Sequence, residues 1–240
     1  MDLLLRYIPL ALLSLLLALM ARNRAYRVCP AFFTYVAFGV CADIARFAVD
    51  NRHDAYYMVF WATEAGYCIL GIAAMYEVYR SVLRARSRWT HLVFPCVVAL
   101  AVALSLAHAR SVPPQVHGFF LYIVVGEVTV RFVQVLIFLV VGTMAAFFGL
   151  RWRRYSLGIA AGFGLYSTIE LLNSIKISDF GTRFAFLWRT SSLVAYSFAV
   201  LIWIWFFRAP QKEDPPLDPE IVAHYLTTLE QYKDWMRRMR

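Results

Sequence analysis

The sequence predicts an all-α integral membrane protein: a bundle of seven transmembrane helices with its N-terminus outside, followed by a cytoplasmic amphipathic helix. Three observations carry this. The chain is 61% hydrophobic over 240 residues, where soluble domains run about 45–50% apolar, and its mean hydropathy is +0.60. Its apolar residues gather in runs close to the ~20 residues that 1.5 Å of rise per residue requires to cross a core about 30 Å thick. Arginine and lysine concentrate in alternate connections between those runs, which is the asymmetry that orients membrane helices.

The first run, Leu3–Met20, has Arg6 near its start, as a signal peptide would. However, Ala21 is followed at once by Arg22, Arg24 and Arg27, a stop-transfer pattern, and Leu19 stands where a small residue would favour cleavage. An uncleaved first helix is expected. Pro30 opens the second span, Ala31–Val49, from the first helical position, where its missing N–H costs nothing. The third is Tyr57–Tyr79 and the fourth, short but very apolar, is His91–Ala107. Pro113 and Pro114 break the chain before the fifth, Gly118–Leu150, which is longer than the hydrocarbon core requires. The sixth, Tyr155–Ile175, carries Gly158 and Gly162 in a G-x-x-x-G spacing that lets a neighbouring helix approach closely. The seventh is Phe184–Phe207.

Orientation follows from the connections. One side carries Arg22, Arg24, Arg27, Arg80, Arg84, Arg86, Arg88, Arg151, Arg153, Arg154, Arg208 and Lys212; the other carries Arg52, Arg110, Lys176 and Arg183. Twelve against four puts the N-terminus outside and the C-terminus inside. The seven-helix bundle thus covers residues 1–208, a polar, proline-rich linker 209–217, and a cytoplasmic helix 218–240. In that last segment Asp218 serves as N-cap with Pro219 behind it, and Val222, Tyr225, Leu229, Tyr232, Met236 and Met239 recur at 3–4 spacing. The narrow seam they form is expected to dock on a protein partner or a second copy. Arg237, Arg238 and Arg240 end the helix and suit both its C-terminus and anionic headgroups.

Charges within the runs fall in the outer third of the core or at its outer boundary, with Glu127 in the first turns of the long fifth span, above the core. Glu64 lies sixteen residues from Arg80, and Glu170 sixteen from Arg154, about 24 Å at helical rise. Asp43 and Arg46 stand about 20 and 24 Å from Pro30 by the same measure, and Arg131 and Arg189 about 30 Å from their inner anchors. A charged layer toward the outer surface is therefore expected, with Asp43, Glu64, Glu127 and Glu170 facing Arg46, Arg131 and Arg189. Tyr67, Gln134, Tyr166, Asn173, Ser192 and Tyr196 continue the same helix faces. Ionisable groups at such depth cost about 2.5–3.5 kcal/mol each on insertion scales and face a bundle interior, so pairing is expected. Arg131 should meet Glu64 or Glu170 from another helix, with Glu127, four residues back on its own helix, competing. The layer reads either as structural ion pairs or as a cavity, open outward, for a small polar ligand.

Other chemistries lack their residues. The basic balance of +9 sits in short connections between spans, a topological signal rather than one for nucleic acid. Cys29, Cys41, Cys68 and Cys96 fall in or beside apolar runs and read as packing residues. His53, His108 and His117 have no ligand spacing, and no pair of core histidines suits a haem, so no metal or cofactor is expected. No phosphate-binding glycine loop, H-E-x-x-H pattern or nucleophile–base pair points to an enzyme. Glu77, Arg80 and Arg84 at the inner end of the third span read as a local ion pair and interface anchor.

Seven spans with an outside N-terminus resemble the plan shared by microbial rhodopsins and G-protein-coupled receptors. The resemblance is architectural. The seventh span has no lysine for a retinal Schiff base and no Asn-Pro-x-x-Tyr, and the third ends Tyr76-Glu77-Val78-Tyr79-Arg80 rather than Asp-Arg-Tyr. The expected function is non-enzymatic: a sensor or receptor-like module in a plasma or bacterial inner membrane, with a structural subunit of a larger assembly as the alternative and a proton-coupled transporter after that.

Overall fold

A computed structural model describes residues 2–83, 90–109, 119–148, 153–180 and 185–211. The tail seam of Val222, Tyr225, Leu229, Tyr232, Met236 and Met239 lies outside these residues, as does most of the linker. The described chain is all-helical. Its elements are α1 (Asp2–Arg22), a 3-10 turn (Ala25–Arg27), α2 (Pro30–Val49), α3 (His53–Leu83), α4 (Thr90–Ala109), α5 (Phe119–Phe148), α6 (Arg154–Phe180) and α7 (Ala185–Phe207). Each expected span corresponds to one helix. The largest change of boundary is at α3, which runs 31 residues. Polar ends of the kind carried by Asp54 and Arg80 do not stop a helix, although they do end an apolar run.

Among the described residues four stretches are long and apolar enough to cross a membrane: Pro30–Val49, Asp54–Val82, Val125–Met144 and Thr190–Phe207. Shorter apolar stretches occupy Tyr7–Arg22 and Leu92–Ala107. Large apolar side chains point outward from several helices, among them Met58, Ile69, Leu106, Phe147, Phe198 and Trp205. Such a surface is costly in water and matched to hydrocarbon. The molecule is thus an α-helical protein of membrane type.

Packing joins α1 to α2, α2 to α3, α3 to α5, α5 to α6, α6 to α7 and α7 back to α1, so six helices form a closed ring. The fourth helix stands outside the ring against α5, with a lighter contact to α3. At the end where α1 turns into α2, the ring is filled by aromatic side chains. Phe32 meets Phe163 at 5.8 Å, Trp203 at 5.0 Å and Phe207 at 5.6 Å between ring centroids, and Tyr155 stacks on Phe207 at 4.3 Å. Edge-to-face and offset geometries of this kind are the favoured ones for aromatic pairs. Phe32, Phe163, Trp203 and Phe207 are wholly buried, which makes this end a solid plug.

Gly158 and Gly162 give the expected close approach, and α7 is the partner. A Cβ at Gly158 would fall against Phe206, and one at Gly162 would overlap the Trp203 indole.

Chain ends at the plug are tied by specific bonds. Asn23 Nδ2 donates to the Phe207 carbonyl at 2.6 Å, and the Tyr155 hydroxyl donates to the Ala209 carbonyl at 3.2 Å and accepts from Gln211 N–H at 3.0 Å. The first satisfies a carbonyl at the C-terminus of α7 that has no intrahelical partner, and the other two hold the chain just past it. The Cys29 thiol, in the turn before α2, is buried and donates to the Ala25 carbonyl at 3.3 Å. Burial pushes its ionisation upward, with the Glu77 carboxylate adding to the effect, so it stays a neutral packing group.

Glu77 has a different role from the expected pairing with Arg80. It accepts from the backbone N–H of Ala31 at 3.4 Å and of Phe32 at 3.1 Å. Pro30 has no N–H, so these are the first two orphan donors of α2, capped by a carboxylate borrowed from α3. The helix dipole favours negative charge at this position. Glu77→Ala should lower stability by about 1–2 kcal/mol and Glu77→Gln by roughly half of that, measured as unfolding midpoints in mild detergent. Equal losses for the two variants would mean that packing, not charge, is what Glu77 supplies.

Candidate functional site: a charged chamber

Toward the opposite end the ring is not filled. A chamber of about 230 Å³ lies between the helices, lined by Tyr35, Asp43 and Arg46 of α2, Glu64, Tyr67 and Cys68 of α3, Glu127, Val130, Arg131 and Gln134 of α5, Tyr166 of α6, Tyr196 of α7 and Pro9 of α1. A second, more open space shares Pro9, Asp43 and Arg46 with it and continues past Phe47 to Asp50 and Tyr56, where α2 turns into α3. The chamber therefore has a mouth at that turn. Its floor is Tyr35, whose ring lies 5.1 Å from Phe163 and 6.3 Å from Trp203 of the plug.

Each charged group is positioned by helical spacing. Asp43 and Arg46 stand three residues apart on α2, and Glu64 and Cys68 four apart on α3, so each pair shares a face. Arg46 spans the α2–α3 seam. Its Nε donates to Thr63 Oγ1 at 2.9 Å, its Nη2 donates to Thr63 as well and to Glu64 Oε1 at 2.8 Å, and its guanidinium lies 4.8 Å from the Phe60 ring centre and 5.8 Å from that of Tyr67. Thr63 in turn donates to the carbonyls of Val59 and Phe60 at 2.8 Å each. Salt bridge, hydroxyl and rings together hold Arg46 firmly.

Arg131 differs from expectation. Its carboxylate partner is Glu127, four residues back on α5, at 3.3 Å, not Glu64 or Glu170 of another helix. On the neighbouring α6 it donates to the Tyr166 hydroxyl at 3.3 Å and lies 4.4 Å over the Tyr166 ring. Glu64 is taken by Arg46, and that is why it is not available to Arg131. Nor are the two pairs buried: the side chains of Arg46 and Glu64 are 20% and 16% exposed, and those of Arg131 and Glu127 14% and 37%. The open chamber between the helices is the physical reason.

Two expected members stand apart. Asn173 is buried between α6 and α7, donating to Ser192 at 3.0 Å and accepting from Ser191 at 3.1 Å, a structural clasp off the chamber. Glu170 is half-buried one turn beyond Tyr166 and is not among the residues that line the chamber; its Oε1 has no hydrogen-bond partner among the described residues. Arg189 belongs to α7, but its side chain lies outside those described. The side chains of His53, His108 and His117 also lie outside them.

The structure adds Tyr35, Thr63, Cys68 and Pro9 to the site. Three of these carried a signal: Tyr35 is eight residues from Asp43, Cys68 is one turn past Glu64, and Thr63 is adjacent to it. Cys68, expected to be a packing residue, faces the chamber. At its deep side Ser167 donates to Gln134 Oε1, tying α6 to α5, and Tyr166 meets Tyr196 edge-on at 5.4 Å. Among the described residues no cluster of three histidine, cysteine or acidic side chains could hold a metal ion. No protein-family model, curated protein or solved structure matches the chain.

Chemically, the chamber offers both signs of charge, a thiol, phenolic hydroxyls and aromatic faces within one small volume. That composition suits holding a small polar molecule by complementary contacts.

Proposed function

We propose that this chain is a non-enzymatic, receptor-like membrane protein whose outward-facing chamber binds a small polar ligand. In this reading all seven helices span the membrane, the N-terminus and the α2–α3 turn are outside, and the basic connections are inside. The tail helix, with its seam of Val222, Tyr225, Leu229, Tyr232, Met236 and Met239, meets a partner protein or second copy on the inner side.

One observation carries the proposal: the chamber is open at the Asp50–Tyr56 end and closed at the other by the Phe32–Phe163–Trp203–Phe207 plug. Charged groups in a bundle interior need a reason to be there, since apolar packing would serve stability as well or better. Access from one side favours a sensor over a carrier, for which a path would continue through the inner half. It also favours a ligand site over a purely structural role as a subunit of a larger assembly.

Cys68 provides the test, because it lines the chamber whereas Cys41 and Cys96 are on the exposed surface and Cys29 is buried. In a Cys41→Ala/Cys96→Ala background, a membrane-impermeant cationic methanethiosulfonate should modify Cys68 when applied to the outer face of oriented vesicles. Applied to the inner face it should not. Labelling from the inner face, or from neither, would overturn the reading.

A further inference from the structure

We infer that the chamber is built for a small zwitterion, a molecule carrying one ammonium and one anionic oxygen group, of which free amino acids are the simplest class. This rests on the chamber being a ligand site. The argument comes from how unequally its charged groups are engaged.

Arg46 is spoken for. Its Nε and Nη2 are held by Thr63 and Glu64, and its flat face is covered by Phe60 and Tyr67. Arg131 is held much less. The Tyr166 ring covers one face at 4.4 Å, but among the described residues a single nitrogen, Nη2, makes its hydrogen bonds, to Glu127 and to Tyr166, each at 3.3 Å. Strong charge-assisted bonds of this type are about 2.7–2.9 Å. Its Nε is buried and has no partner among the described residues, although a guanidinium presents five donors and favours a two-point grip on an oxyanion. Glu127, its partner, is the most exposed member of the two ion pairs at 37%. The Glu127–Arg131 pair is therefore the loose one, and it faces the chamber.

A loose pair in a partly desolvated chamber selects its ligand by charge balance. An anion that took Arg131 would leave Glu127 without a cation, and a cation that took Glu127 would leave Arg131 without an anion. Stranding a charge in such surroundings costs more than the new contact gains. A zwitterion avoids both: its anionic group takes the guanidinium, its ammonium takes the carboxylate, and every charge stays paired. Asp43 lines both the chamber and its mouth, so an ammonium entering from outside passes a further carboxylate on its way to the Glu127–Arg131 pair. The volume, about 230 Å³, lies below the ~300–1,000 Å³ of sites for drug-sized molecules, which sets the scale at a single amino acid rather than a peptide.

The experiment uses the full chain in lipid nanodiscs and reads its melting temperature against three matched sets. These are the standard amino acids with 4-aminobutyrate and taurine, the corresponding amines lacking the acid group, and the corresponding acids lacking the amine. Saturating ligand should raise the melting temperature by about 5 °C or more. The expected result is that at least one zwitterion does so while its own amine and acid do not. The double variant Glu127→Gln/Arg131→Gln should lose the shift. It removes both charges together and should melt close to the parent; should it fail to fold, Glu127→Gln alone, at the exposed member of the pair, serves in its place. If an amine or an acid stabilises as well as its zwitterion, or the variant keeps the shift, the zwitterion assignment is wrong while the chamber remains a ligand site. If no compound from any set stabilises, the ligand-site reading fails with it.

Discussion

Arg46→Ala should destabilise the protein by about 2 kcal/mol, below the range for breaking a fully buried pair because both side chains keep some exposure. The reason is what stays behind. Glu64 would lose its salt-bridge partner among the described residues while its side chain is 16% exposed, and the Thr63 oxygen and the Phe60 and Tyr67 rings would lose the group packed on them. Because the chamber admits some solvent, the loss should not reach that range. Glu64→Ala should cost less, about 1 kcal/mol, since Arg46 keeps Thr63 and both rings and its charge is the better solvated of the two. The double variant should cost less than the sum of the singles, leaving a coupling of about 1–2 kcal/mol. Unfolding midpoints of the four proteins in one detergent give the cycle. Additivity within about 0.5 kcal/mol would mean that the 2.8 Å contact contributes little and that the α2–α3 seam is held by its apolar contacts.

The contrast with Arg131 explains how far the site could be read in advance. Counting helical rise from basic anchors gives depth, and depth put Asp43, Arg46, Glu64 and Arg131 in the outer part of the core with Glu127 a turn above Arg131; all five line one chamber. Depth says nothing about rotation. Each helix can turn about its axis by 100° per residue, so a count that places Glu170 level with Arg131 does not say whether the two face each other. Asn173 shows the same limit: its level is near that of the charges, but its face is turned to Ser191 and Ser192. Tyr35 was missed for a different reason. Aromatic residues in membrane spans are so common that one tyrosine among nineteen phenylalanines and fourteen tyrosines carries no signal until its spacing from Asp43 is considered.

Fold legibility divides along similar lines. Seven apolar runs became seven helices because hydrophobic length and helix length are tied by the same 1.5 Å rise. Helix order around the ring was not legible. The exclusion of α4 from the ring follows from its composition, since a helix without a polar face has nothing to offer a charged interior and packs on the outside of α5 instead. Close approach at Gly158 and Gly162 was legible as a pattern, but its partner was not: small residues announce that something comes near without naming it.

That partner sets up the other large effect. Gly162→Ala should destabilise by about 2–3 kcal/mol, at the upper end of overpacking by a single methyl group. The added Cβ would overlap the indole of Trp203, and the indole cannot retreat. It is wholly buried, with Phe32 at 5.0 Å on one side, Phe163 at 5.1 Å on another and Tyr35 at 6.3 Å toward the chamber. Either α6 and α7 separate, which weakens the plug along both helices, or the indole is driven into Tyr35 and the chamber floor shifts. Trp203→Phe tests the mechanism. A phenyl ring is shorter and should vacate the space the new methyl needs. Alone it should cost about 1–2 kcal/mol for the cavity it leaves, but combined with Gly162→Ala it should recover most of the alanine penalty. The measurement is a double-mutant cycle on unfolding midpoints, with Cys68 labelling from the inner face as a second readout. If the clash acts by parting the plug, Gly162→Ala should admit the inner-face reagent to Cys68 and the double variant should exclude it again. Rescue of stability without rescue of the barrier would show that the floor is set by Tyr35 rather than by the glycine contact, and absence of any rescue would show that the α6–α7 approach is not governed by this ring.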